Sequence, residues 1–329
     1  MSGRLEERPY GRAGDTVSAI GLGGSYLDKR SLDTGVATVR RALELGITYF
    51  DTAPAYGRGA SQLIMGRALE GRTERHLLAT KLGYLSRPEH WRSPEALRAQ
   101  LGENLRALRR GSVDTLQLHL AELACWWRDD ARPDARIEVG AEPGAGSPAM
   151  PDPAAAPALA VLREARERGL CRYLGVTADS APELAWLVDR LDVDVCLLAY
   201  EYSLLSRRGR RLVLPAARRR LVTYVAAGII VPTPPDLDEA DLAAMPGLGA
   251  VERERRQRLY RLAHESGLST VDLAIRFLLA DPGIATILVG ASAPDEIEAC
   301  VAAAVAGPLP GDLHRAVEAL DDPAGMDVS

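Results

Sequence analysis

The chain has 329 residues, of which 47% are hydrophobic and 26% charged, a composition typical of a folded globular protein. Its formal net charge of −5 argues against nucleic acid as a partner. The longest apolar run, from Leu221 to Pro232, is far shorter than the roughly 20 residues that a membrane span requires. The N-terminus lacks the apolar core of a secretory signal, so we expect a cytoplasmic protein with no membrane partner.

Short β-branched runs alternate with helical patterns along most of the chain. Eight runs are interpreted as strands, and they span residues 17–23, 47–50, 77–81, 114–118, 172–177, 194–200, 221–226 and 285–290. Among the helices between them, one has Ser93 as a candidate N-cap, and another begins with a candidate capping box formed by Ser180 and Glu183. Eight strand–helix units predict one α/β domain over residues 1–329, a (β/α)8 TIM barrel.

Two segments interrupt this alternation and are rich in proline, glycine and charge. Residues 121–153 follow the fourth predicted strand, and residues 232–250 follow the seventh. The loops after barrel strands lie on the face that carries the functional residues. We therefore expect both segments to be long loops on that active face.

Four chemically active side chains lie at or just after predicted strand ends. Asp51 and Tyr56 follow the second strand, Lys81 ends the third, and His119 follows the fourth. Because the C-terminal ends of barrel strands converge, we expect these residues to form one catalytic site.

The chemistry expected of this site is proton transfer. A phenol has an ordinary pKa near 10, and a nearby ammonium such as Lys81 would lower the pKa of Tyr56. In this interpretation Tyr56 is the general acid, Asp51 holds Lys81 in place, and His119 orients a substrate oxygen. A general acid aimed at an oxygen suits hydride addition to a carbonyl, because negative charge develops on that oxygen.

Three segments carry a resemblance to a known family. FDTAPAYG (50–57), ATKLG (79–83) and DTLQLHL (114–120) resemble the aldo-keto reductase superfamily. The catalytic residues of that family match Asp51, Tyr56, Lys81 and His119. The resemblance implies an eight-stranded barrel that moves hydride between NAD(P) and a small carbonyl or a sugar-like alcohol. The segment DVCLLAYEYSLL (194–205) looks most similar to the aldose dehydrogenase and pyridoxal dehydrogenase branch.

The same resemblance assigns the cofactor contacts to Thr177, Tyr224, Gly290, Ala291 and Ser292. It implies that Thr177 meets the nicotinamide carboxamide and that Tyr224 stacks on the ring. Gly290 and Ala291 would begin a helix whose N-terminal amides favour an anion. Relatives that use NADP have a basic residue where this chain has Ser292. No cation is then expected beside a 2′-phosphate, so NAD is favoured over NADP.

Four aromatic side chains are candidates for the substrate pocket, because aromatic faces pack on sugar rings and other flat ligands. They are Tyr26, Trp91, Trp126 and Trp127. The alternative for Trp126 and Trp127 is that they anchor their loop against the barrel rim. The cysteines form no CxxC pair and the histidines show no ligand spacing, so no metal site is expected.

Two other functions stay open on the sequence alone. The positions expected to bind the carboxamide and the phosphates depart from the family pattern. The same four polar residues could therefore run a redox-neutral dehydration, isomerisation or cyclisation without a bound nicotinamide. A non-catalytic binding barrel is the third possibility, because a fold does not determine function. The sequence indicates neither a particular substrate nor an oligomeric state.

Overall fold

A computed structural model describes residues 4–83, 88–139, 152–230 and 249–321. Strands β1 (Glu7–Tyr10) and β2 (Asp15–Ser18) form an antiparallel hairpin, and eight further strands form a closed parallel barrel. The barrel strands are β3 (Ile20–Gly23), β4 (Tyr49–Asp51), β5 (Leu77–Leu82), β6 (Val113–Leu118), β7 (Cys171–Ala178), β8 (Val195–Ala199), β9 (Thr223–Ala227) and β10 (Thr286–Gly290). Neighbours follow chain order, and β10 closes the barrel on β3. The predicted (β/α)8 barrel is confirmed.

Helices follow most of the strands and cover the outside of the barrel. They are α1 (Leu32–Glu44), α2 (Ala60–Leu69), α3 (Pro94–Ala107), α4 (Pro157–Glu167), α5 (Ala181–Arg190), α6 (Leu214–Arg220), α7 (Ala250–Ser266), α8 (Thr270–Leu279), α9 (Pro294–Val305) and α10 (Gly311–Glu318). A search of the described helices finds none long and apolar enough to cross a membrane.

The two helix starts predicted from the sequence have different outcomes. The hydroxyl of Ser93 accepts a hydrogen bond from the Ala96 N–H at 3.2 Å, so Ser93 is the N-cap of α3. Ser180 precedes α5, but its hydroxyl donates to the side chain of Glu183 and caps no backbone N–H. The Ala181 N–H is instead bonded to the carboxylate of Glu201. The predicted capping box is therefore wrong.

The hairpin at the N-terminus was not predicted. The run 17–23 was interpreted as one strand, but residues 17 and 18 belong to β2 and only 20–23 enter the barrel. Tyr10 of β1 is fully buried, and its hydroxyl lies 2.7 Å from Thr115 Oγ1 and 3.2 Å from Tyr49 Oη. The hairpin therefore closes the end of the barrel opposite the C-terminal ends of the strands.

Part of each predicted active-face loop lies outside the described residues, namely 140–151 of the first and 232–248 of the second. Residues 121–139 pack back on the barrel. The Ile137 N–H donates to the Glu122 carbonyl at 2.8 Å, and the Ala121 N–H donates to the Thr177 carbonyl at 2.7 Å. The first half of this loop is therefore fixed to the barrel rim by backbone hydrogen bonds.

Candidate active site

The structure brings Asp51, Tyr56, Lys81 and His119 together at the C-terminal ends of the strands. Asp51 is the last residue of β4, Lys81 lies near the end of β5, and His119 directly follows β6. Tyr56 begins a short turn before α2. All four line one cavity of about 1000 Å³, which is at the upper end of the size of small-molecule and cofactor pockets.

Lys81 and Asp51 form a buried ion pair inside the barrel. The Lys81 ammonium donates to one oxygen of the Asp51 carboxylate and, at 3.0 Å, to the Thr52 carbonyl. Burial opposes the charge on Lys81, but Asp51 and then Tyr56 outweigh it, so the pKa of Lys81 is raised above its ordinary value. Lys81 is therefore an ammonium throughout the neutral pH range.

Tyr56 lies beside this ammonium, with Lys81 Nζ 4.8 Å from the centroid of its ring. Burial raises the pKa of Tyr56, the Lys81 charge lowers it, and Asp51 raises it again. The net result is a pKa above the ordinary value of a tyrosine. The ammonium acts in the predicted direction, but burial is the larger effect, so the prediction of a lowered pKa is wrong in its net direction.

The turn after Tyr56 depends on a left-handed backbone. Gly57, Arg58 and Gly59 have φ angles of 57°, 53° and 91°. A Cβ on Gly57 would come within 2.5 Å of the Asp28 carboxyl group, so both the conformation and the space require glycine there. This turn leads the chain from Tyr56 directly into α2.

His119 lies against Tyr56 in an edge-to-face arrangement. The two ring centroids are 5.7 Å apart and the ring planes meet at 85°. Burial, and then the charge of Lys81, hold the pKa of His119 well below its ordinary value. The imidazole is therefore neutral at pH 7 and brings hydrogen-bonding capacity to the cavity without adding a charge.

Two buried amides that the sequence analysis did not single out support these residues. Gln117 Nε2 donates to Asp51 Oδ2 at 2.9 Å, and Asn104 Nδ2 of α3 donates to the Lys81 carbonyl at 2.9 Å. The signal for Gln117 was present, because it is a polar residue in an otherwise apolar run two positions before His119. Asn104 had no such signal, since its partner lies on another element.

The end of β7 offers a hydroxyl and a carboxylate to the same cavity. Thr177 Oγ1 accepts a hydrogen bond from the Leu120 N–H at 3.2 Å, so its own proton remains available to a ligand. Asp179 lines the cavity two residues later, and burial raises its pKa. A primary carboxamide needs both a donor and an acceptor, so this pair fits the amide of a nicotinamide. Asp179 carries no motif signal in the sequence and was not predicted as a site residue.

The end of β10 forms a shallow cradle in the same cavity. A Cβ on Gly290 would come within 2.6 Å of the Tyr26 ring, so the absence of a side chain lets the aromatic ring cover this strand end. Tyr26 is 54% exposed and lines the cavity, as does Gly290. The size of the cavity fits an extended ligand such as a dinucleotide.

Ser292 follows this cradle and is bonded to charged side chains. Glu296 of α9 accepts from the Ser292 N–H at 2.7 Å, and Arg30 donates to Glu296 at 3.0 Å and to the Ser292 hydroxyl at 3.2 Å. The prediction that no cation lies near Ser292 is therefore wrong. Arg30 is 262 positions away in the sequence and reaches the site from the loop after β3.

Three of the residues assigned to the cofactor, Tyr224, Ala291 and Ser292, are not among those that line the cavity. Tyr224 is buried on the outer side of β9, where its ring lies 6.5 Å from that of Tyr202 and its hydroxyl faces Gly209. It cannot stack on a ring at the barrel mouth, and the assignment is corrected. Ala291 is buried in the core, and α9 begins at Pro294 rather than at Gly290–Ala291.

The three tryptophans predicted to line the substrate pocket also lie away from the cavity lining. Trp91 stacks on Trp126 with ring centroids 4.9 Å apart, and both are buried. The indole N–H of Trp126 donates to the His119 carbonyl at 3.0 Å, and that of Trp127 donates to the Ala121 carbonyl at 2.8 Å. These hydrogen bonds anchor the loop after β6 to the barrel rim. The structure therefore favours loop anchoring over substrate contact for Trp126 and Trp127. Tyr200, 54% exposed after β8, is the aromatic residue that the sequence analysis missed.

Within the ranges that the structure describes, no cluster of three histidine, cysteine or acidic residues could hold a metal ion. The polar side chains that line the cavity are organic acids and bases. These are a phenol, an ammonium, a neutral imidazole and several carboxylates around one opening.

Comparison with known proteins connects this geometry to a family. A model described as the aldo/keto reductase family matches residues 19–322. The chain is 28% identical over 325 residues to L-galactose dehydrogenase of Arabidopsis thaliana, with 91% of this chain and 88% of the relative covered. It is 26% identical over 323 residues to D-threo-aldose 1-dehydrogenase of a Pseudomonas species, with coverage of 87% and 88%. Pyridoxal 4-dehydrogenase of Microbacterium luteolum is 27% identical over 331 residues, with coverage of 89% and 91%.

Solved structures give the same fold. The holo form of an aldo-keto reductase from Bacillus halodurans superimposes with a TM-score of 0.73, at 23% identity and 98% coverage of both chains. Glycerol dehydrogenase from Gluconobacter oxydans superimposes with a TM-score of 0.67, at 24% identity and coverage of 97% of this chain and 95% of the other.

Proposed function

The chain belongs to the aldo/keto reductase family, and on that premise we propose that the four polar residues at the barrel mouth are its catalytic residues. The family and its named relatives make the protein an NAD(P)-dependent oxidoreductase, as the sequence predicted. A nicotinamide, when bound, would supply or accept the hydride at the carbon of the substrate. In our proposal Tyr56 exchanges the accompanying proton with the oxygen on that carbon.

The geometry around Tyr56 supports this role. Its raised pKa keeps the phenol protonated at neutral pH, which a proton donor requires. Lys81 Nζ, 4.8 Å from the ring, stabilises the phenolate that forms when the proton leaves. Asp51 keeps Lys81 charged and fixed, and neutral His119 can hydrogen-bond the substrate oxygen without repelling Lys81. The convergence of the four side chains on one cavity is the observation that carries the proposal.

For the cofactor we propose that Thr177 and Asp179 hold the nicotinamide carboxamide and that NAD is preferred over NADP. The carboxylate of Glu296 lies at the start of α9, bonded to the Ser292 N–H at 2.7 Å. A 2′-phosphate next to it would be repelled, whereas a ribose hydroxyl could donate to it. Arg30 lies nearby, but its guanidinium pairs with Glu296 at 3.0 Å. Its positive charge is therefore balanced by Glu296 before any 2′-phosphate could bind.

For the substrate we propose a small carbonyl or a sugar-like alcohol. The relatives carry names for the oxidation of a hexose, of aldoses and of pyridoxal, all of which are small polar molecules with a hydroxyl or carbonyl group. Tyr26 and Tyr200 are exposed aromatic rings on the cavity and offer flat surfaces for such a ligand. The redox-neutral alternative is not favoured, because the matched relatives are named as dehydrogenases or reductases.

The test is Tyr56→Phe against the wild type, assayed with NADH and NADPH on a panel of aldehydes and, with NAD and NADP, on aldoses. Loss of a general acid lowers turnover by roughly 10²- to 10⁴-fold, so we expect a fall of at least a hundredfold. Tyr202→Phe is the matched control, because its hydroxyl donates to Asp281 at 2.8 Å outside the barrel. Measurable turnover that Tyr56→Phe leaves unchanged would overturn the proposal.

A further inference from the structure

Gln117 lies beside the buried ion pair and contacts its carboxylate directly. The side chain is completely buried, and the residue is in register with Lys81 on the neighbouring strand. Its Nε2 donates to Asp51 Oδ2 at 2.9 Å, while the other oxygen of Asp51 accepts from Lys81. The carboxylate of Asp51 is therefore held at both oxygens by N–H donors from two adjacent strands.

The amide of Gln117 is unfavourable for the stability of the barrel. Among the described residues its Oε1 has no hydrogen-bond partner although the atom is buried. A buried polar oxygen without a partner costs free energy, which an apolar side chain of the same length would avoid. The hydrogen bond that this amide does make goes to Asp51. The amide therefore serves to hold the Asp51 carboxylate in place rather than to improve core packing.

The direction of the amide depends on a glycine of β7. Gly175 is in register with Gln117, and a Cβ there would come within 2.9 Å of Gln117 Cγ and 3.1 Å of the Val195 carbonyl. The side chain of Gln117 therefore passes over the open backbone of Gly175 on its way to Asp51. Adding a methyl group at 175 would displace the amide without removing its donor.

We propose that Gln117 is a positioning residue for the proton transfer, acting through Asp51 and Lys81 on Tyr56. Its N–H stabilises the ionised form of Asp51, which in turn keeps Lys81 charged. It also fixes the plane of the carboxylate, and so the position of Lys81 Nζ relative to the Tyr56 ring. This inference rests on the proposed function, because it assigns Gln117 a role in the reaction attributed to Tyr56.

The first experiment replaces Gln117 by methionine, which has similar length and no N–H donor. Removing the donor weakens the hold on the Asp51–Lys81 pair, so we expect the acidic limb of the kcat profile to move to higher pH by about one unit. We expect kcat to fall about tenfold at neutral pH and KM to stay within about twofold, because Gln117 does not line the cavity. Gly175→Ala should give a smaller shift in the same direction.

Gln117→Glu distinguishes positioning from packing. A protonated carboxyl at 117 can donate to Asp51, whereas an ionised one repels it, since two adjacent carboxyls share a single proton. This variant should keep activity at acid pH and lose it as pH rises, the opposite of the methionine variant. A role in packing alone would not produce opposite pH profiles.

Thr115→Val is the matched control. Thr115 lies two residues earlier on the same face of β6 and bonds to Tyr10 rather than to Asp51. We expect lower thermal stability with unchanged kcat and an unchanged pH profile. Wild-type kcat and pH dependence in Gln117→Met, or equal changes in Thr115→Val, would overturn the inference.

A readout without turnover separates this inference from the proposed function. The side-chain amide protons of Gln117, assigned by their loss in Gln117→Met, should shift in NMR spectra when Asp51→Asn replaces the carboxylate that accepts from them. If Tyr56→Phe shows that the proposed function is wrong, this comparison still tests the contact. Amide protons that keep their wild-type shifts in Asp51→Asn would then reject the link between Gln117 and Asp51.

Discussion

The carboxylate of Glu296 accepts hydrogen bonds from both polar groups of Ser292, the backbone N–H at 2.7 Å and the hydroxyl at 3.0 Å. An acidic side chain from the first turn of α9 thus occupies the donors of a residue that precedes the helix. Helix starts usually offer such donors to an anionic ligand. Arg30 reaches the same group of side chains from the loop after β3 and pairs with Glu296 at 3.0 Å.

Removing this negative charge should change the coenzyme preference. We expect Glu296→Gln to raise kcat/KM for NADPH about tenfold relative to NADH, because the carboxylate no longer repels a 2′-phosphate and Arg30 is released from its partner. Steady-state kinetics with both coenzymes measure the ratio. Glu298→Gln on the same helix is the control, since Glu298 bonds Arg41 at 2.6 Å. A wild type that already prefers NADPH would contradict the assignment.

The buried pair of Lys81 and Asp51 should be strongly coupled in stability. Lys81→Met leaves a buried carboxylate without its counter-ion, which costs about 3–5 kcal/mol of the free energy of unfolding. The double variant with Asp51→Asn should regain most of that loss while staying inactive, because no buried charge remains. Urea denaturation and activity assays distinguish the two effects.

The exposed pair formed by Arg109 and Glu70 is the control for that prediction. Removing either partner should change the free energy of unfolding by no more than about 1 kcal/mol, because solvent screens the charges. A double variant of the buried pair that is as unstable as Lys81→Met would contradict the expected coupling.

Glu122, on the loop after β6, should make the fold less stable as pH rises. Burial raises its pKa from 4.5 to about 7. The folded state therefore binds more protons than the unfolded state between these values, so stability is lost as pH increases through this interval. Glu122→Gln removes the effect and should gain about 1–3 kcal/mol over the wild type between pH 5 and pH 8.

Thermal or urea unfolding at a series of pH values measures this difference. For Glu265→Gln, at an exposed position of α7, the free energy of unfolding should follow the same pH dependence as in the wild type. If Glu122→Gln also follows the wild-type pH dependence, Glu122 is not responsible for the loss of stability.

Tyr224→Phe should stabilise the protein and leave coenzyme binding unchanged. The Tyr224 hydroxyl is buried and has no partner within the described part of the chain, and an unsatisfied buried group of this kind costs about 1–3 kcal/mol. Tyr202→Phe is the opposite case, because it removes a hydrogen bond to Asp281, and it should destabilise by about 1 kcal/mol. A rise in the KM for coenzyme in Tyr224→Leu would restore the role that the sequence suggested.

Much of the site was predictable because its signals are local. Asp51, Lys81 and His119 end short apolar runs, and a parallel barrel brings such ends to one face whatever the lengths of the intervening helices. The orientation of the candidate tryptophans and of Tyr224 was harder to predict from the sequence. The side to which an aromatic ring points depends on strand phase and on loop packing. In β9 a shift of one residue exchanges the barrel interior for the helix layer, and Tyr224 lies on the helix side.

The eight-stranded barrel, the four polar residues at its mouth and the family were predictable from residue order, because strand periodicity and motif spacing are short-range properties. The pairing of Arg30 with Glu296 across 266 positions, and the contact of Gln117 with the second oxygen of Asp51, arise only when the chain folds. The tertiary structure also decided the net pKa of Tyr56, because burial depends on all the surrounding elements together. Contacts and desolvation arise when distant segments pack, and the order of residues along the chain does not specify them locally.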